Sequence, residues 1–285
     1  MLWRFDVVVL AFILGGLLGG WRAHHVATVR RSLTLMGILA LLTGALACRP
    51  WGMWALAVLI AGVALYEVRL AWHMSWLLLA VFVALGLAGA AASAPPGAVW
   101  TTGVMGVIVL ACWALPRPWV LSRGFGGVLA FGTVGLGLGT WALMATHSLR
   151  AGLMFIWLLQ LNDAFGYFGG RLWGRHHPVP SVSPGKTIEG YAAGVIGVGL
   201  GCVLAYHPLG LMAGRPVSVA LALGGFAVVG GNIGDLTFSK VKRQRGIKDF
   251  SGLLPGHGGV LDRFDNVLVA APGFLLLWQI LGMGR

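Results

Sequence analysis

Only eight carboxylates serve the 285 residues of this chain, and six of them fall after position 162. Four crowd into one stretch: Asp235, Asp249, Asp262 and Asp265. The same stretch carries Lys240, Lys242, Arg243, Arg245, Lys248 and Arg263, and the glycine-rich turn Pro255-Gly256-His257-Gly258-Gly259. Carboxylate oxygens are ligands for hard divalent cations, whereas Lys, Arg and free backbone amides hold phosphate. Side by side they suit metal-assisted chemistry on a phosphorylated substrate. Asp235 closes one apolar run; Asp262 and Asp265, three apart and so on one helix face, open the next. A loop over 234–265 that folds back would bring them together. A basic loop lying on anionic headgroups would explain the cations but not aspartates at the ends of apolar runs.

Two further groups lie upstream. Asn162-Asp163, with Tyr167, sits inside an apolar run, where an ionisable side chain costs about 2.5–3.5 kcal/mol on insertion scales. Asp163 must therefore face the bundle interior beside a cation, a donor or a metal; a polar contact between helices is the simpler alternative. The second group is Ser183-Pro184-Gly185-Lys186-Thr187 with Glu189. Gly-Lys-Thr resembles the end of a phosphate-binding P-loop, but that motif needs glycine where Pro180 stands, and no strand precedes it. What remains is a turn entering a helix, with Lys186 beside free N–H groups, a generic anion site or a plain helix cap. The histidines, His24-His25 and His176-His177 in basic loops and His73, His147 and His207 near run ends, lack metal-ligand spacing.

The elements that must position these residues are membrane helices. The chain is 58% hydrophobic and 10% charged, against about 25% charged in a soluble domain, too little polar sequence to cover a soluble surface. Ten apolar runs are predicted, roughly 5–20, 32–48, 51–66, 74–93, 99–115, 125–146, 151–169, 187–206, 217–234 and 264–281, each read as a helix. The fold class is therefore an all-α polytopic membrane protein of about nine to ten transmembrane helices. The first run is read as a retained span, because Asp6 interrupts its start and Gly19-Gly20-Trp21-Arg22 is a poor cleavage site. Of the 20 Lys and Arg residues, most occupy alternate loops, among them Arg30, Arg69, Arg117, Arg171, Lys186 and Lys240. The positive-inside rule then turns the acidic cluster to the cytoplasm of a multi-pass cell-membrane protein. Scattered Cys48, Cys112 and Cys202 fit neither a zinc site nor a disulfide framework. A net charge of +12 distributed over such loops argues for headgroups and against a nucleic-acid partner. The small-residue pairs Gly135/Gly139 and Gly197/Gly201 fit close packing inside one bundle better than a homodimer seam, which they also allow.

On these residues the chain resembles the phosphatidate cytidylyltransferase (CDP-diglyceride synthase) family. Its signature reads Ser-x-x-Lys-Arg, four residues, Lys-Asp, then Pro-x-His-Gly-Gly-x-x-Asp-Arg-x-Asp. Here Ser239, Lys242-Arg243, Lys248-Asp249, Pro255, His257-Gly258-Gly259, Asp262-Arg263 and Asp265 match it. The two upstream groups resemble the family's other motifs. The resemblance covers about residues 150–280, which divides the chain into N-terminal spans (1–150) and a C-terminal catalytic membrane domain (151–285).

It implies transfer of a cytidylyl group from CTP to phosphatidate, yielding CDP-diacylglycerol and pyrophosphate, with magnesium and room for a second cation. Asp235, Asp249 and Asp262 would be metal ligands, with Asp163 and Asp265 orienting or completing the shell. Lys186, Arg243, Lys248 and Arg263 would hold the triphosphate and lipid phosphate, with Lys242 beside them, and His257 would donate to the leaving group. Tyr167, Ser183, Glu189, Gly258 and Gly259 are the remaining substrate-contacting positions. Phe238, Ile188 and Asn266 depart from bacterial members, which carry Glu, Trp and Ser there, while Phe250 and Phe264 look like the eukaryotic variant. Competing readings are a CTP-dependent transferase or kinase acting on another membrane lipid, an inactive lipid-binding paralogue, and an ion relay through Asp163 and Asp235.

Overall fold

The computed structural model describes residues 51–91, 98–206, 214–254 and 258–283, with positions 41, 44, 45, 48, 211 and 212 besides. Backbone amides deprived of water must find partners within their own segment, and helices achieve this. Among the described residues every regular element is accordingly helical: α1 (Trp51–Trp72), α2 (Trp76–Ala91), α3 (Ala98–Ala114), the short α4 (Arg117–Val120), α5 (Arg123–His147), α6 (Leu149–Trp173), α7 (Ile188–Tyr206), α8 (Val217–Arg245) and α9 (Leu261–Ile280). Each of the predicted runs from 51 onward coincides with one of these helices; the runs at 5–20 and 32–48 lie outside the described residues. By length and composition α1, α5, α7 and α8 suffice to cross a membrane, and α2 and α3 are shorter apolar helices.

Two predicted boundaries are corrected. The segment expected to loop from 234 onward stays helical to Arg245, so the loop proper begins at Gly246. The change from apolar to polar composition at Asp235 marks where α8 becomes polar, not where it ends. Its last turn carries Lys242, Arg243 and Arg245, cations that complement the partial negative charge of a helix C-terminus. Gly246 at φ 74° then stops it in the left-handed conformation, donating its N–H to Arg243 O, while Ile247 N–H reaches back to Lys242 O. Likewise α1 runs past 66 to Trp72 and takes in Glu67 and Arg69.

α9 is the central post: it packs against α3, α5, α6 and α8 and is buried along most of its length. α5, whose middle turn Ala130–Gly137 is π-helical, backs it. α6 and α7 form the closest pair, because glycines face each other across it: a side-chain carbon on Gly190 would lie 2.8 Å from Gly166 O, and one on Gly194 would lie 2.7 Å from Asn162 Oδ1. The predicted small-residue pairs also pack within the chain, Gly135 and Gly139 on α2 and Gly197 and Gly201 on α6. Only Ser148 separates α5 from α6, and helices on either side of that position share one core.

Candidate active site

A cavity of about 730 Å³ opens among α1, α6, α8 and α9. One part of its wall is polar: Asn162, Asp163, Lys186, Asn232, Asp235, Asp262, Arg263 and Asp265. The other is apolar: Leu56, Leu59, Ile60 and Val63 of α1, Trp141 of α5, and Ile156, Trp157 and Leu161 of α6.

The polar wall is built from four segments. From α6, Asp163 faces the cavity, and its carboxylate accepts from Asn266 Nδ2 at 2.6 Å and Asn162 Nδ2 at 3.3 Å. From the 174–187 connection, Lys186 Nζ meets Asp235 Oδ2 at 2.5 Å and donates to Asn232 Oδ1 at 3.3 Å. An ammonium has three hydrogens, so one remains for a ligand. Burial disfavours the Lys186 charge, but the nearby Asp235 and Asp163 carboxylates outweigh it and hold the ammonium pKa above its ordinary value. From α8 comes Asp235, whose other oxygen accepts from Ser239 Oγ at a long 3.4 Å.

From α9 come Asp262, Arg263 and Asp265. As the spacing predicted, both aspartates are presented to one side of the helix, buried and lining the cavity. Asp262 organises the loop before it. Its Oδ1 accepts from Lys242 Nζ at 2.6 Å, and Oδ2 from the amides of Phe250 and Gly259, each at 2.9 Å. A carboxylate offers about four lone-pair sites, so Oδ1 keeps one. Arg263 lines the cavity, exposed, and its guanidinium makes no hydrogen bond among the described residues. Asp163, Asp235 and Asp265 line the same cavity, and a bound cation would relieve the repulsion between neighbouring carboxylates.

Most other expected residues lie outside the cavity wall, Tyr167 and Lys242 excepted. Glu189 turns onto the preceding loop, accepting from the amides of Arg175 and His176 and from His176 Nδ1 at 2.6 Å. Ser183 is half-buried in its turn, where its carbonyl accepts from Lys186 N–H. Arg243 donates to the carbonyls of Val182 and Ile247, fastening the end of α8 to that turn. Lys248 and Asp249 are exposed, the Asp249 carboxylate lying beside Gly258. Tyr167 lines the cavity and its hydroxyl accepts from Arg171. Gly258 adopts φ 81° and its carbonyl accepts from Leu254 N–H, setting the turn. His257 lies outside the described residues.

Three contributors had no role assigned to them from the sequence. Asn232 and Asn266 hold Lys186 and Asp163, and Glu67 of α1 reaches the 251–261 segment, accepting from Ser251 Oγ at 2.6 Å and from the amides of Val260 and Leu261, each at 2.8 Å. The scarcity of acids was the available signal for Glu67, which with Asp6 is all that the first 150 residues contain. Phe238, fully buried, meets the Phe250 ring edge-on, and Phe250 stacks on Trp72.

Magnesium typically takes one or two carboxylates and completes its octahedron with water and substrate phosphate oxygens. The donor chemistry here fits that pattern: Asp235 and Asp262 face one cavity with lone pairs to spare. Among the described residues no three His, Cys, Asp or Glu side chains converge on one metal position, so a full protein cage is not what they offer.

The sequence is similar to those of known proteins. A "Phosphatidate cytidylyltransferase" of Aquifex aeolicus (strain VF5) is 39% identical over 125 residues, 44% of this chain and 46% of the relative. One of Haemophilus influenzae is 38% identical over 130 residues, 45% of each chain. "Uncharacterized protein YnbB" of Escherichia coli (strain K12) is 38% identical over 142 residues, 47% of this chain and 46% of that one. The chain thus spans about half the length of the curated relatives it matches. The profile of the family described as "Cytidylyltransferase family" matches residues 29–281, nearly end to end, and the chain belongs to that family.

Proposed function

We propose that this chain transfers the cytidylyl group of CTP to phosphatidate, giving CDP-diacylglycerol and pyrophosphate. The observation that carries the reading is the two-sided cavity. Its carboxylates and cations suit a triphosphate and a lipid phosphate, and its apolar wall suits acyl chains that stay among the helices. In the reaction a lipid phosphate oxygen attacks the α-phosphorus of CTP, the bond from that phosphorus to the bridging oxygen of the β-phosphate breaks, and pyrophosphate leaves with the electron pair. No Ser, Cys or His nucleophile is required. The protein's work is positioning and electrostatic neutralisation.

The Arg263 guanidinium and the third hydrogen of Lys186 are donors available for phosphate oxygens. Asp235 and Asp262 would hold magnesium, each giving a lone pair, with Asp163 and Asp265 beside them; the Asp249 carboxylate lies near Gly258, as does that of Asp262. The ion would neutralise the triphosphate and the developing pyrophosphate charge. The asymmetry of Lys and Arg between alternate loops supports a cytoplasm-facing polar end in the cell membrane, so that CTP enters from water and lipid from the side.

The test is purified protein in detergent with phosphatidate, magnesium and CTP labelled in both the base and the γ-phosphate. Base label entering lipid with release of pyrophosphate supports the proposal. Label moving from the γ-position into lipid would replace it with a CTP-dependent lipid kinase. No transfer from intact, CTP-binding protein would overturn phosphatidate as the acceptor.

A further inference from the structure

Glu67 is a carboxylate with 0% exposure near the end of an apolar helix, more than 180 residues in sequence from everything it binds. A buried charge of this kind persists only when hydrogen bonds replace its lost water. Glu67 has three such bonds, and all go to one segment. Oε1 accepts from Ser251 Oγ and Val260 N–H, and Oε2 accepts from Leu261 N–H. The two amides belong to the first residues of α9, which lack acceptors within the helix. One residue on, Asp262 accepts from Gly259 N–H and Phe250 N–H. Two carboxylates, one from α1 and one from α9, thus grip the same turn on adjacent amides. Gly259 fits between them for lack of a side chain: a β-carbon there would lie 2.5 Å from Glu67 Oε1.

We propose that Glu67 is a positioning residue for the cytidylyl transfer proposed above. Glu67 does not itself line the cavity, and acts by fixing the turn 258–261 and with it the start of α9. That start aims Asp262, Arg263 and Asp265 into the cavity. An acceptor on both oxygens is the essential property. Glutamine keeps the volume but turns an N–H₂ donor toward one of the donors that Glu67 now accepts, so Glu67→Gln releases one anchor and repels it. Gly259→Ala disturbs the same contact from the other side.

The test uses the full chain in detergent or nanodiscs and reads two quantities. The first is hydrogen exchange of peptides covering 246–262, α6 and α7. Both Glu67→Gln and Gly259→Ala are expected to speed exchange at 258–262 about tenfold or more while α6 and α7 keep wild-type protection. The second is steady-state transfer with CTP and phosphatidate. Here kcat is expected to fall about tenfold or more, with KM for phosphatidate nearly unchanged because the acyl wall is untouched. Unchanged exchange at 258–262 in either folded variant overturns the proposal. So does exchange that rises equally across α6 and α7, with activity lost in proportion to folded protein, which marks a merely structural role. If Glu67→Gln does not fold, Gly259→Ala decides alone. Wild-type protein that transfers nothing would sink the proposed function instead, and the exchange measurement would still report whether Glu67 holds the turn.

Discussion

Asp235 and Lys186 make the closest ion pair of the polar wall, and each has capacity left over. Asp235→Asn keeps shape and one acceptor but removes the charge that would hold magnesium and balance Lys186. Turnover should fall about 10³-fold or more while the variant elutes and melts as wild type, a loss of the size seen when one preorganised charge contact is removed. Near-normal turnover would remove Asp235 from the proposed metal set. Lys186→Met should raise KM for CTP, since it deletes the third donor and leaves the fold standing. The carboxylates were legible in the sequence because charge is costly in so apolar a chain, and Asp262 and Asp265 share a face because helical spacing dictates it. Asn232, Asn266 and Glu67 were not. Amides carry no charge to stand out among polar residues, and a lone glutamate at the end of an apolar run looks like the edge of a span. Their importance arises only from contacts 46, 103 and 184 or more residues away.

Among the elements, α8 does the most to shape the site, through where it stops. It carries Asn232 and Asp235 on its membrane-apolar portion and Ser239, Lys242 and Arg243 on its polar extension, so one rigid rod spans the cavity and the loop that covers it. Its end depends on Gly246 at φ 74°. Gly246→Ala should cost about 1–2 kcal/mol, measurable as a lower melting temperature in detergent, with a larger fractional loss of kcat because the loop 246–260 leaves from that point. A wild-type melting temperature would show that the cap is not strained. The helix positions themselves were readable from hydropathy, but the last turns of α1 and α8 were not. Polar composition says where a helix leaves apolar surroundings, and only a capping residue says where it ends.

At the scale of the whole molecule, the cavity joins two halves of the chain: its polar wall comes mainly from residues after 160, and much of its apolar wall from α1 and α6. Leu59 lies on that apolar wall, more than half exposed. Leu59→Trp should therefore raise KM for long-chain phosphatidate several-fold and leave KM for CTP alone; equal effects on both would mean the acyl chains lie elsewhere. Orientation is open to a direct check, since Lys248→Cys in a cysteine-free background should react with an impermeant maleimide only from the cytoplasmic side. The bond from Glu67 to the Val260 and Leu261 amides bears on how such a protein can be taken apart. A minimal enzyme cut at residue 150 would retain the full matching motif and still lack the acceptor for those amides. Chimeras assembled from different family members should work only when the first described helix and the final one are inherited together.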